Sequence, residues 1–181
     1  MALVKYNLNG RTVEYDGSEF EIVTNCYTKK KYLHYIGDEK NVTNPKGNTS
    51  CYCMFQDYKG TSLDLSKFDT NNVTDMSFMF SDCINLKTLN ISNFNTNNVS
   101  AMNCMFMGCK NLKELDISSF FINDTKILDN MFLDCKSLET LQVSSDYLQF
   151  FSINRGLLKI ENNVNIIPVS KLDKVVNDLF Y

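Results

Sequence analysis

The sequence has no tryptophan, a single histidine and only two prolines in 181 residues. A lone His34 leaves little room for histidine-based acid–base or nucleophilic chemistry. No glycine-rich phosphate loop and no nucleophile motif occurs. The chain is therefore expected not to be an enzyme, and no cofactor is expected. No run of eighteen apolar residues exists, so no membrane-spanning helix is predicted. No basic excess is present either: the net charge is −3, which gives nucleic acid or anionic lipid no attractive field. The opening stretch, MALVKYNLNGRTVEY, places polar residues where a signal peptide needs an apolar core. As given, the chain reads as cytoplasmic, or as extracellular if a leader has been removed. Its seven cysteines are an odd number, so at least one thiol is unpaired.

What the sequence does have is repetition. Met-Phe recurs at Met54-Phe55, Met79-Phe80, Met105-Phe106 and Met131-Phe132, with spacings of 25, 26 and 26 residues. Cys83, Cys109 and Cys135 follow in the same register, and Phe68, Phe94 and Phe120 form another column. Leu63-x-Leu65, Leu89-x-Ile91, Leu115-x-Ile117 and Leu141-x-Val143 alternate apolar and polar residues, which predicts short strands. NVTDMSFMFSDC (72–83) carries Val73, Met76, Met79, Phe80 and Cys83 at a spacing that predicts a helix face, with Asn72 and Asn98 as helix caps in two copies. A strand and a short helix cannot bury their faces alone, whereas stacked copies cover one another. The pattern predicts an α/β solenoid.

The units LDLSKFDTNNVTDMSFMFSDC, LNISNFNTNNVSAMNCMFMGC and LDISSFFINDTKILDNMFLDC resemble the BspA-like leucine-rich repeats of bacterial and protist proteins. The resemblance covers residues 54–143. It implies a leucine-rich-repeat stack with parallel strands on a concave face. It also implies binding of macromolecules rather than catalysis.

The predicted organisation is one structural domain. Residues 1–53 form an N-terminal β-rich cap with a degenerate first repeat, 54–145 the repeats, and 146–181 a C-terminal strand/helix cap. In the first cap, 2–8 and 11–16 predict a hairpin about Asn9-Gly10. EFEIVTN (19–25) and KYLHYIG (31–37) predict further strands. In the last, LLKIE and VNIIP predict strands, and Ser170 is placed to cap a helix with Asp173 at the capping-box position.

Outward strand positions are candidate partner contacts: Asp64, Ser66, Thr88, Asn90, Glu114, Asp116, Thr140 and Gln142. This face is acidic and hydroxyl-rich, with no Lys or Arg at those positions. Phe121 and Ile122 are apolar where earlier copies carry polar residues, and are candidates for a contact patch or for cover by the C-terminal segment. The expected function is protein–protein interaction with a macromolecular partner, with neither nucleic acid nor membrane as ligand. The alternatives are an intracellular inhibitor of a nuclease or other enzyme, encoded by a mobile element, and a surface adhesin fragment. Cys26, His34, Cys51 and Cys53 supply four potential zinc ligands, but their spacing fits no common zinc pattern, so no metal is expected.

Overall fold

The computed structural model describes residues 3–26, 28–37, 42–123 and 127–170. Strands β1 (Leu3–Leu8) and β2 (Arg11–Asp16) pair antiparallel, with Leu8 opposite Arg11 across the turn. Asn9 and Gly10 supply the positive φ angles, 50° and 90°, that a two-residue hairpin turn requires. Strands β3 (Phe20–Thr24) and β4 (Lys31–Tyr35) form a second antiparallel pair. The segment after the second hairpin returns to the first, where Glu14 and Lys46 exchange backbone hydrogen bonds of 3.0 and 3.1 Å.

Beyond the hairpins the chain makes short parallel strands. They are β5 (Ser62–Asp64), β6 (Thr88–Asn90), β7 (Glu114–Asp116) and β8 (Thr140–Ser144). A short 3-10 turn (Ser145–Tyr147), α1 (Leu148–Ile153), α2 (Arg155–Leu158) and β9 (Asn165–Val169) complete the described chain. β5 pairs with β6, and β8 lies between β7 and β9.

These elements overturn the expected α/β solenoid and leucine-rich-repeat stack. Among the described residues there is no continuous parallel sheet; the strands fall into small sheets of two or three, and two of those sheets are antiparallel. Between residues 42 and 144 the described chain contains no helix. LLKIE is not a strand, since its first two residues end α2 and Lys159 is left-handed. The helix expected after Ser170 lies outside the described residues.

The segment expected to be a helix over 72–83 is a string of turns, for a definite reason. Its amides alternate between two kinds of partner. Met79, Ser81 and Cys83 donate to carbonyls three residues back, at 3.2, 3.0 and 3.3 Å. Met76, Phe78, Phe80 and Asp82 donate instead to Ala101, Asn103, Met105 and Met107 of the next copy, at 2.9, 3.0, 2.9 and 2.7 Å. A helix would direct every amide within its own segment. Left-handed residues let the chain alternate: Cys53, Phe78, Cys104 and Asn130 in one column, and Asp57, Asp82, Gly108 and Asp134 in the other. The second column consists of Asp and Gly, residue types that tolerate positive φ.

The predicted apolar columns are buried in one core. Phe55, Phe80, Phe106 and Phe132 follow one another at ring spacings of 5.6 Å, with interplanar angles of 13°, 7° and 9°. Each offset aromatic pair adds roughly 0.5–1.5 kcal/mol to the apolar burial. The Cys83, Cys109 and Cys135 thiols each donate to a carbonyl in the preceding copy, Phe55, Phe80 and Phe106, at 3.1, 3.2 and 3.0 Å. All seven cysteines are free thiols.

Candidate partner-binding face

The outward side chains of β5 to β8 form two in-register groups. Ser62 sits opposite Thr88 and Asp64 opposite Asn90. Glu114 sits opposite Thr140 and Asp116 opposite Gln142. The two groups do not share a hydrogen-bonded sheet, because β6 and β7 belong to different sheets. A cavity of about 340 Å³ lies between them, lined by Lys87, Thr88, Leu89, Lys113 and Glu114. Leu89 consequently stays half-buried, whereas Leu63, Leu115 and Leu141 are 1%, 2% and 0% exposed. Two lysines thus enter the face at the junction. Sequence reasoning missed them because each precedes its strand by one residue. Lys113 pairs with Glu139 at 3.1 Å, an exposed contact of little energetic weight.

Several of the polar groups already have local work. Asp64 accepts the Ser66 amide at 2.9 Å and the Asn90 side-chain amide at 3.0 Å. Asn90 accepts the Ser92 amide and hydroxyl at 3.2 and 2.9 Å. Asp116 accepts the Ser118 amide at 2.7 Å and its hydroxyl. The bonds to Ser66, Ser92 and Ser118 close the turns that end their strands, and the Asn90–Asp64 bond links β6 to β5. The Ser66 amide and hydroxyl, with help from Asn90 and Lys67, hold the Asp64 carboxyl below its ordinary range. Glu114 and Thr88 are exposed and carry no such bond among the described residues.

Phe121 and Ile122 take different environments. Phe121 is 40% exposed and meets Tyr147 edge-on at 6.2 Å, while Ile122 is 6% exposed within the core. Ile122 therefore offers a partner almost no surface. Its neighbour Thr96 explains the local backbone, because the Thr96 hydroxyl donates to the Phe121 carbonyl and accepts its amide.

Cys26, His34, Cys51 and Cys53 do not converge on a metal site, and no cluster of three metal-ligating side chains occurs among the described residues. Cys51 is fully buried and Cys26 exposed. His34 Nδ1 lies 3.1 Å from the Cys53 carbonyl. Burial pushes the Cys53 thiol up to about 11 and the Cys135 thiol up to about 12, so both stay protonated. No helix among the described residues is long and apolar enough to cross a membrane.

The model of a family described as "Mycoplasma protein of unknown function, DUF285" matches residues 49–155, more than half of the chain. The chain belongs to this family. The DUF285 match begins where the parallel bridge between Ser50 and Asp75 begins, and ends in α2. It agrees with the BspA-like resemblance at the level of family and says nothing of leucine-rich repeats. No curated protein and no solved structure gives a significant match to the chain.

Proposed function

We propose that this DUF285 member is a non-enzymatic binding module that takes a protein partner on the outward side of β5 to β8. The supporting observation is the in-register polar array of Ser62–Thr88, Asp64–Asn90, Glu114–Thr140 and Asp116–Gln142. Paired strands lie roughly 4.8 Å apart, so each of the two groups presents acceptors and hydroxyls at a fixed spacing. Its carboxylates favour a partner with a basic or donor-rich surface, through charge complementarity that acts on specificity and association rate.

The test is affinity capture from native lysate with the wild type and with a Thr88→Lys/Glu114→Lys/Gln142→Lys variant. These three positions leave the turn-closing bonds of Asp64, Asn90 and Asp116 intact. Matching circular dichroism and melting curves establish that both proteins are folded. Capture of one protein by the wild type, lost in the variant, supports the reading. Retention by both moves the contact elsewhere and contradicts it.

A further inference from the structure

Two cavities flank the tip of the β1–β2 hairpin, and the strand face contributes to neither. Arg11 lines the first, of about 490 Å³, together with Asn48, Thr49, Asn72 and Asn98. Asn9 lines the second, of about 360 Å³, with Asn25, Lys30, Tyr32, Tyr52 and Asp75 among its walls. Thr74 lines both, so a single residue lies between the two hollows.

The site is built rather than incidental. The Asn9 side chain donates to the Lys31 carbonyl at 2.8 Å and thereby ties the first hairpin to the second. The loop between β3 and β4 is closed by Asn25, which bonds the Thr28 amide through its side chain at 2.8 Å and the Lys30 carbonyl through its backbone at 2.9 Å. Tyr32, Tyr52 and Phe78 pack edge to face at 5.4 and 5.9 Å. The Tyr52 hydroxyl accepts from Asn25 at 3.1 Å. Burial, aided by Cys53, pushes this phenol up to about 12, so it keeps its proton.

We propose that these neighbouring cavities together bind an acidic oligosaccharide. Amide and hydroxyl groups dominate the walls, and they both give and receive hydrogen bonds, as sugar hydroxyls do. The two tyrosines add amphipathic surface suited to a sugar ring. Arg11 and Lys30 stand on opposite sides of the hairpin tip without an ion pair among the described residues, and supply the counter-charge for carboxylates. A nucleic-acid backbone fits less well, because a charge on every nucleotide calls for successive cations, whereas Arg11 and Lys30 stand apart; the Asp75 carboxylate in the second wall accepts the Ser77 amide at 2.8 Å.

The experiment is calorimetric titration of the full chain with a hyaluronan hexasaccharide, against neutral chitohexaose and a single-stranded DNA hexamer. The wild type is expected to bind the hyaluronan hexasaccharide, and chitohexaose about tenfold or more weakly, through loss of the charge-assisted bonds. Arg11→Gln is expected to weaken binding about tenfold or more. Asn72→Ala, an exposed change, is expected to weaken it severalfold. Lys110→Gln, an exposed change outside both cavities and the strand face, is expected to leave it unchanged. Failure to bind at millimolar sugar, equal affinity in Arg11→Gln and Asn72→Ala, or equal binding of chitohexaose or DNA would each overturn the proposal.

Discussion

At the residue scale, stability rests on columns whose members lean on their counterparts one copy away. Phe80 is fully buried between Phe55 and Phe106. Phe80→Ala is expected to cost about 3–5 kcal/mol in denaturant melts, since it removes the ring and leaves a cavity. Gly108 has φ of 74°, and an added Cβ would meet Asp82 Oδ1 at 2.5 Å. Gly108→Ala is therefore expected to cost about 1–2 kcal/mol from the left-handed backbone alone, and more if Asp82 cannot shift. The thiols give a chemical check. Cys26 is the exposed cysteine, and the other six are buried. A thiol reagent at mildly alkaline pH should modify one cysteine quickly and the rest only on unfolding. Fast labelling of Cys83, Cys109 or Cys135 would contradict the burial described above.

Asp64 sets a pH dependence at the same scale. Its folded-state carboxyl is held below its ordinary value, chiefly by the Ser66 amide. Such a group contributes stability that is fully present above the unfolded value, about 3.9, and is lost as pH falls through the folded value. Asp64→Asn keeps an acceptor for the Ser66 amide, as Asn90 does for Ser92. Lacking the charge, the variant should melt somewhat below the wild type at pH 7 and lose less stability on acidification, so that the two converge at low pH. An unchanged acid profile would remove Asp64 from that account.

At the element scale, the period and the buried columns were legible in the sequence, and the backbone that carries them was not. Met76, Met79, Phe80 and Cys83 are spaced as on a helix face, and all four are buried. Ser77 and Ser81 distinguish the two backbones, because they too are buried, at 4% and 0%, where a helix would turn them outward. The Asp or Gly preceding each repeated cysteine was the available signal, since those types tolerate the left-handed conformation. The hairpin at Asn9-Gly10 was legible from turn chemistry alone. The separation of β6 from β7 was not, because LKTLNIS and LKELDIS are nearly identical and pairing depends on the distance between backbones. α2 ends the amide ladder: Asn130 and Phe132 donate to the Leu157 and Leu158 carbonyls, both at 2.9 Å. A chain ending at Ser144 leaves those amides unmet and uncovers Leu141, and is expected to lose its cooperative unfolding transition. A sharp, wild-type-like melt of that shortened chain would show that α1, α2 and β9 are dispensable.

At the scale of the whole molecule, charge and composition drew attention to an acidic surface, with net charge −3. They did not foresee that Asp64 and Asp116 serve their own turns, nor that Lys87 and Lys113 border the face. The surface left to a partner is therefore the exposed set around Thr88 and Glu114, extended by Thr140 and Gln142. The most direct measurement is hydrogen–deuterium exchange on the chain alone and saturated with its captured partner. The account predicts new protection in residues 62–66, 88–92, 114–118 and 140–144. Protection confined to the hairpins or to residues 145–170 would contradict it.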